Sequence, residues 1–390
     1  METVSDIQPL QKRRSPEKSR KTVKVESIKN TKDILEKLKT SKNIERLIKN
    51  ESICPRIKIG SIIGEGSFGI IAKLDKPDFT VPVIIKKIKK KNANVGFGSE
   101  IYTETVIGAI LAEDYNRGES FNFPRLFSSF ICNGSAHTIS ERLSGTIDEF
   151  RNIMGRTLTN NDVHNILFQL LAGLHFAQKK YFFMHRDLHP GNFMLQKITP
   201  GIKFQGKELS KVKNFTFTIN GVLYSIPNKG YVVKIIDLGT ASIVENIEGK
   251  RRIIAQNVVL DSSWDGLYNG KWGNFTPTFE PALDPIFAFI SLNQDRPINA
   301  VMPQFLRNKL YKKILNDMFS KKTGYIMPSE VENIAKTNWK KFPDKWWTTI
   351  SSGLPRPYGA LPNEEFSAKN IINKYFTFFK ISGKVKNKNK

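Results

Sequence analysis

Glycines are concentrated in one short stretch near the start of the chain, where a backbone could lie against phosphate groups. The stretch reads Ile63-Gly64-Glu65-Gly66-Ser67-Phe68-Gly69-Ile70-Ile71. Because glycine has no Cβ, such a loop can approach phosphate oxygens closely and offer its amide N–H groups to them. Structural turns and dinucleotide-binding folds use similar glycines, so the motif alone leaves its role open.

The residues after Gly69 favour a strand over a helix. The loop of a dinucleotide-binding fold opens a helix and has an acidic residue about twenty positions further on. The residues Ile70 to Leu74 are instead rich in β-branched and apolar types, so the pattern predicts a strand, a glycine turn and a second strand. A third β-rich run contains Lys86, 17 residues after Gly69 (86 − 69), with Ile84 on the same face because side chains alternate along a strand.

The sharpest signal is a run that combines basic, acidic and amide side chains. It reads His185-Arg186-Asp187-Leu188-His189-Pro190-Gly191-Asn192. It matches H-R-D-L-x-x-x-N, the catalytic loop of protein kinases, at every fixed position. Further along, an apolar strand ends in Asp237-Leu238-Gly239, which is similar to D-F-G, and Val83-Ile84-Ile85-Lys86 resembles V-A-I-K. The motifs follow the family order, and the chain therefore resembles the eukaryotic-type Ser/Thr protein kinase family.

The resemblance implies a phosphoryl-transfer enzyme that uses ATP and Mg²⁺ on protein substrates. Asp187 would accept or orient the proton of the attacking serine or threonine hydroxyl group. Asn192 and Asp237 would be the magnesium ligands, since Mg²⁺ prefers oxygen donors. The backbone of Glu141 and Leu143 would bind the adenine edge.

The resemblance also implies how the phosphates of ATP would be held. Residues 63–71 would cover them, and Lys86 would contact them. Glu104 and Glu100 lie one helical turn apart, and either could pair with Lys86. The apolar residues after Glu104 better resemble the family's third helix, so Glu104 is the preferred partner. His185 is expected to be packed and hydrogen-bonded rather than catalytic.

Two departures concern the catalytic loop and the chain after it. Position 189 is histidine, where serine/threonine kinases usually have lysine, and His189-Pro190-Gly191-Asn192 also resembles small-molecule kinases of the aminoglycoside type. Asn192 and Asp237 are separated by 44 residues (193–236), more than ordinary kinases need. This spacing predicts an insertion at about 197–230, folded as a hairpin around Asn220-Gly221.

Further departures lie after Asp237. No A-P-E motif follows it, which leaves substrate docking and activation by phosphorylation open, although Asp284 is a candidate for the structural aspartate of the next helix. Residues 296–390 show no motif that aligns with the family. A catalytic loop of this kind without A-P-E resembles the divergent kinases of large DNA viruses.

The fold class expected from these patterns is α+β, a two-lobed kinase-like architecture. A small β-rich lobe with one helix would cover residues 57–143, and a larger, mainly helical lobe would cover residues 144–383. A basic tail and helical extension would precede them at 1–56, and a second basic tail would follow at 384–390. Apolar spacing predicts helices from Asn161 or Asp162 through Ala177, at 281–293 and at 303–320.

Composition leaves the partners open. The net charge of +25 attracts nucleotides, acidic proteins, nucleic acid and anionic membranes alike, and a coding bias could account for part of it. A non-catalytic scaffold that binds such partners through basic tails is therefore an alternative. No run of 18 apolar residues occurs, which favours a soluble, intracellular protein without a transmembrane segment, in the host cytoplasm or the virion if the source is viral. A disulfide between Cys54 and Cys132 is left open, although two cysteines fit a reducing compartment better.

Overall fold

The computed structural model describes residues 59–65, 69–74, 81–88, 99–247, 250–256, 281–292, 302–318 and 364–381. The predicted extension at 1–56, the basic tail at 384–390 and residues Gly66, Ser67 and Phe68 of the glycine loop lie outside them. So do residues 257–280, where an A-P-E motif would be expected.

The first part of the chain forms an antiparallel five-stranded sheet with strand order β1-β2-β3-β5-β4. Its strands are β1 (Ile59–Glu65), β2 (Gly69–Leu74), β3 (Val83–Ile88), β4 (Leu126–Cys132) and β5 (Ser135–Glu141). The alternation predicted for the third strand is present, since Val83 and Ile85 are buried while Ile84 and Lys86 are partly exposed on the other face. Cys132 ends β4, and Cys54, with which a disulfide was left open, lies outside the described residues.

Helix α1 (Glu100–Asn116) packs against this sheet and is the one helix expected in the β-rich lobe. Its N-terminus is capped by Ser99, whose side chain accepts a hydrogen bond from the Tyr102 N–H group. In the second half of the helix, most residues are buried, whichever side of the helix they lie on. A helix that is apolar all round lies between other elements rather than on a surface, and α1 lies between the sheet and the rest of the molecule.

The larger part of the chain is organised around helix α3 (Asn160–Tyr181), whose apolar face is fully buried. The predicted helix is confirmed, but its cap is Thr159 rather than Asn161 or Asp162. Thr159 Oγ1 accepts the Asp162 N–H group, and Asp162 accepts the Thr159 N–H group in return, which is a capping box. The helix is followed by its C-cap Phe182, which adopts the left-handed conformation (φ 48°).

A three-stranded sheet with order β12-β7-β6 positions the two predicted catalytic motifs, one just before β7 and the other just after β12. Its strands are β6 (Gly145–Thr146), β7 (Phe193–Lys197) and β12 (Tyr231–Ile235). The short helix α2 (Phe150–Met154) follows β6. Ile235 pairs with Phe193, so the end of β12 lies beside the start of β7. The residues that follow β12 are thereby placed next to those that precede β7.

The chain between β7 and β12 forms two hairpins, and the second is the one predicted around Asn220-Gly221. The strands are β8 (Lys203–Phe204), β9 (Lys207–Glu208), β10 (Asn214–Ile219) and β11 (Val222–Pro227). Ile219 pairs with Val222, and both intervening residues have positive φ (50° and 74°), as a two-residue type I′ turn requires. We call residues 198–230 the 198–230 segment.

The remaining described elements complete an α+β kinase-like fold, as predicted. They are β13 (Ser242–Ile247), β14 (Lys250–Gln256), α4 (Leu283–Leu292), α5 (Met302–Arg307), α6 (Lys309–Met318) and α7 (Ala368–Tyr375). The predicted helix at 303–320 is divided into α5 and α6, because Asn308 Oδ1 accepts the Tyr311 N–H group and starts a new helix. Among the described residues, no helix is long and apolar enough to span a membrane.

Candidate active site

The predicted catalytic loop lies between α3 and β7 and is closed by its own side chains. Asn192 Nδ2 donates hydrogen bonds to the backbone oxygen of Asp187 (2.7 Å) and to its Oδ2 atom (3.2 Å). The carboxylate of Asp187 is thereby oriented by the amide five residues later. Because the nitrogen of the amide is turned toward Asp187, its oxygen points away and could ligate a cation.

A buried carboxylate fixes the loop from behind. Asp284 of α4 accepts the backbone N–H groups of His185 (2.7 Å) and Arg186 (2.9 Å), one on each oxygen. Burial raises the pKa of Asp284, opposed by His185 and by these hydrogen bonds. The hypothesis that Asp284 is a structural aspartate is therefore confirmed by its contacts. Arg186 has a positive φ (67°), which this double contact holds in place.

His185 joins the catalytic loop to the Asp-Leu-Gly segment. Its Nε2 atom lies 2.7 Å from the Ile236 backbone oxygen, and the Ile236 N–H group donates to the Asn192 backbone oxygen (2.9 Å). Burial lowers the pKa of His185, which favours the neutral imidazole. The expectation of a packed, hydrogen-bonded histidine is confirmed. The hydrogen bond between Ile236 and Asn192 places Asp237 one residue beyond the backbone that pairs with Asn192.

Lys86 meets two carboxylates from distant parts of the chain. Its Nζ atom lies 2.8 Å from Glu104 Oε2 and 3.5 Å from Asp237 Oδ1. Burial by itself would lower the pKa of Lys86, but the charges of Glu104 and Asp237 outweigh that effect and raise it, so the ammonium form is favoured. Glu104, the partner preferred from the sequence, contacts Lys86 directly.

Glu100 lies close to Glu104 and Asp237, and the sequence did not indicate that these three carboxylates would be grouped. One carboxylate oxygen each from Glu100, Glu104 and Asp237 lies within 4.8 Å of the others, a grouping that could hold a metal ion. Gly239 packs directly on Glu100, since a Cβ at this position would lie 2.5 Å from Glu100 Cγ. Asp237 adopts the left-handed conformation (φ 59°), which turns its carboxylate toward Lys86.

The described part of the glycine loop has the predicted arrangement of two strands. Gly64 pairs with Ile71 and Glu65 pairs with Ile70, so β1 and β2 are antiparallel on either side of the turn. A Cβ at Gly69 would lie 2.6 Å from the Lys87 backbone oxygen, so this glycine is needed for the approach of β2 to β3. Ile63, before Gly64, is exposed.

The sequence matches the family described as "Protein kinase domain" over residues 57–264, which is more than half of the chain. The chain belongs to the protein kinase family. It is similar to the bovine (Bos taurus) serine/threonine-protein kinase haspin, with 38% identity over 73 residues, which cover 19% of this chain and 8% of haspin.

Two further relatives cover more of this kinase. The putative serine/threonine-protein kinase 019R of Frog virus 3 (isolate Goorha) is 20% identical over 254 residues, 60% of this chain and 28% of that protein. The human (Homo sapiens) serine/threonine-protein kinase Nek10 is 24% identical over 204 residues, 48% of this chain and 17% of Nek10. The matches with these three relatives span less than a third of each relative's own length.

The position that departs from the kinase pattern, His189, lies beside Asp187. Its Nδ1 atom accepts the Gly191 N–H group (3.1 Å), and its Nε2 atom lies 3.6 Å from Asp187 Oδ2. A Cβ at Gly191 would lie 2.8 Å from His189 Cε1, so the glycine makes room for the imidazole ring. Histidine and glycine in this loop are therefore structurally linked.

The segment expected to hold adenine crosses from the five-stranded sheet to the rest of the kinase. The N–H groups of Glu141, Arg142 and Ser144 donate to the backbone oxygens of residues 125, 82 and 195, respectively. Within the described residues, the Leu143 N–H group has no such acceptor. A single free backbone donor at this point would suit the acceptor nitrogen of a purine.

The side chain of Glu141 is at the centre of a buried network that sequence reasoning missed. It lies 3.3 Å from Lys234 Nζ and 3.2 Å from Arg125 Nη2, and it accepts a hydrogen bond from Gln196 (2.7 Å). Burial would raise the pKa of Glu141, but Lys234 and Arg125 outweigh it and lower the pKa to about 2. The one signal available was Lys234, a charge inside the apolar run of β12.

Proposed function

We propose that this kinase is catalytically competent and transfers the γ-phosphoryl group of ATP to serine or threonine hydroxyl groups of proteins. The observation that carries the proposal is the position of Lys86 Nζ, which contacts Glu104 (2.8 Å) and Asp237 (3.5 Å) at once. A kinase requires such a lysine–glutamate pair beside its metal-binding aspartate, and these residues come from β3, α1 and the turn after β12.

ATP with Mg²⁺ would supply the transferable phosphoryl group and neutralise part of its charge. Asp187 would orient the acceptor hydroxyl group and take its proton, because its carboxylate is held by Asn192 and lies at the edge of the loop. Asp237 and the amide oxygen of Asn192 would hold the metal. The donor set fits a hard cation, since it consists of oxygen atoms.

The remaining predicted residues would bind the nucleotide. Lys86 would contact the phosphates, with Glu104 as its anchor, and the glycine loop from Ile63 to Ile71 would cover them. The backbone oxygen of Glu141 and the N–H group of Leu143 would bind the adenine edge, with the buried network of Glu141 as support. Two further expectations stay predictions. One is that the basic tails bind nucleic acid or acidic proteins, and the other is that the protein is located in the host cytoplasm or the virion.

Specificity for serine and threonine is supported by the names of the relatives, all of low identity or short coverage. A small-molecule acceptor is a second candidate, favoured by the histidine and glycine in the catalytic loop. His189 lies beside Asp187, at the position where serine/threonine kinases usually have lysine. The reaction product distinguishes the two kinds of acceptor, because it is a phosphoprotein in one case and a phosphorylated small molecule in the other.

The test is transfer of radiolabelled phosphate from ATP to casein or to the kinase itself, followed by phosphoamino acid analysis. Asp187→Asn should abolish transfer, while its nucleotide-induced thermal shift remains, because the proposed nucleotide contacts do not depend on the proton acceptor. Equal activity of wild type and Asp187→Asn would refute the catalytic assignment. Turnover of an aminoalcohol without any phosphoprotein would favour the second acceptor.

A further inference from the structure

The C-terminal end of α1 is held by the 198–230 segment. Tyr115 donates its hydroxyl hydrogen to the Lys203 backbone oxygen (2.7 Å), and its ring packs edge-on against Phe204, with centroids 5.2 Å apart. Gln205 Nε2 donates to the Gly118 backbone oxygen (2.7 Å), just beyond the helix. A Cβ at Gly118 would lie 2.3 Å from Gln205 Cγ, so the glycine permits this close approach.

The same segment is fixed to the mainly helical part of the molecule. Phe121, which follows α1, contacts the rings of Phe204, Phe215 and Phe217 at centroid distances of 5.1–5.5 Å. Phe217 also contacts Phe168 of α3 (5.4 Å). The segment therefore bridges the end of α1 and the long buried helix.

Helix α3 adds a direct contact at the same end of α1. Asp114 is fully buried and accepts hydrogen bonds from the Tyr181 hydroxyl group (2.8 Å) and from Lys180 Nζ (2.7 Å). The last turn of α1 is thus attached to α3 as well as to the 198–230 segment. Its first turns carry Glu104, 11 residues before Tyr115 (115 − 104), or about 16 Å along a rigid helix.

A lysine–glutamate pair forms only when the helix that carries the glutamate is correctly placed, and this placement is a common point of control in kinases. We propose that the 198–230 segment positions Glu104 against Lys86 by holding the opposite end of α1, so that the pair forms in the isolated, unphosphorylated chain. The proposal rests on the proposed kinase function. It makes Phe204 and Tyr115 positioning residues, since they act through α1 and contact no substrate.

The first test measures the helix itself and does not require activity. Phe204→Ala and Tyr115→Phe should both increase hydrogen–deuterium exchange of the backbone amides of α1. Tyr224→Phe is the matched control, because Tyr224 lies in the same segment but donates its hydroxyl hydrogen to Asn373 instead (2.8 Å). Tyr115→Phe keeps the ring and tests the proposal even if Phe204→Ala fails to fold. Unchanged exchange in α1 of both variants would overturn it.

The second test asks whether Phe204 acts through Glu104. Phe204→Ala should lower the transfer rate per folded molecule about tenfold in the wild-type background and less than about twofold in the Glu104→Gln background. Phe204→Leu, which keeps an apolar side chain, should restore most of the rate. Losses that multiply in the double variant would show a merely structural role and contradict the proposal.

The third test addresses independence from activators. Wild-type chain purified alone and treated with phosphatase should transfer phosphate at the same initial rate as untreated chain. A rate that appears only after phosphorylation or addition of another protein would overturn the inference while leaving the kinase function intact. Absence of transfer under every condition would instead refute the proposed function, and the exchange measurement on α1 would still decide the positioning role.

Discussion

The ammonium group of Lys234 lies 3.3 Å from the carboxylate of Glu141, and both side chains are almost completely buried. The first residue belongs to the strand before Asp237, and the second lies at the segment expected to hold adenine. The two charges therefore connect the strand that leads to Asp237 with the segment expected to hold adenine. Lys234 Nζ also donates to the Phe123 backbone oxygen (3.1 Å) and lies 4.9 Å from the centre of the Tyr115 ring.

Replacement of Lys234 by methionine should destabilise the kinase by about 3–5 kcal/mol, because one partner of a buried ion pair is left without its counter-charge. Urea denaturation of wild type and variant gives the difference. Lys234→Met combined with Glu141→Gln should lose less stability than Lys234→Met alone. Equal losses in the single and the double variant would contradict a specific interaction between these residues.

The stability of the kinase should depend on the ionisation of Glu141 in the acid range. Its pKa falls from 4.5 to about 2 on folding, so the ionised form stabilises the fold fully above the unfolded pKa. That contribution, on the order of 3 kcal/mol, is lost as the pH falls from the unfolded pKa of 4.5 toward the folded pKa of about 2. The difference in unfolding free energy between wild type and Glu141→Gln should therefore shrink between about pH 5 and pH 2. A difference that is constant with pH would show that Glu141 is not ionised in the folded protein.

Asp284→Ala should impair both stability and phosphate transfer. The variant leaves the buried N–H groups of His185 and Arg186 without acceptors, at about 1–3 kcal/mol each. Chemical denaturation and the initial transfer rate check the two effects. Asp317→Ala, which removes a half-exposed carboxylate from α6, is the control and should leave the transfer rate unchanged. A stable Asp284→Ala variant with the wild-type rate would contradict the structural role of this residue.

Gly239→Ala should reduce phosphate transfer through a steric conflict with Glu100. The added methyl group would lie 2.5 Å from Glu100 Cγ, so either the Asp-Leu-Gly turn or the first turn of α1 must move away from Lys86. Because Glu100→Ala removes that atom, the double variant should recover activity relative to Gly239→Ala. The initial rate of transfer measures both. No recovery in the double variant would place the conflict elsewhere.

The sequence was sufficient to predict those elements that are specified by residues close together in the chain. The run around Asp187, the apolar strand before Asp237 and the Asn220-Gly221 turn all have short-range patterns, and each predicted element is present. The choice between Glu104 and Glu100 was less secure, because residues one turn apart share a helix face and only tertiary packing separates them. Here Glu104 contacts Lys86, while Glu100 packs on Gly239.

The buried network could not be predicted, because its members are brought together only by the fold. Arg125 precedes β4, Glu141 ends β5 and Lys234 lies in β12, and no spacing rule connects them. The cap of α3 was placed at the wrong residue for a different reason. Thr159 and Asp162 satisfy each other's N–H groups, so the acidic residue that resembles a cap is the third residue of the helix instead.

The outer edge of the second hairpin is covered by the end of the described chain. Tyr224 forms an isolated β-bridge with Lys380, and the Ile381 N–H group donates to the Leu223 backbone oxygen (2.9 Å). An uncovered strand edge is a template for pairing with another molecule. A version of the protein shortened before Thr377 would expose that edge, and we expect it to self-associate more strongly than the full chain at the same concentration.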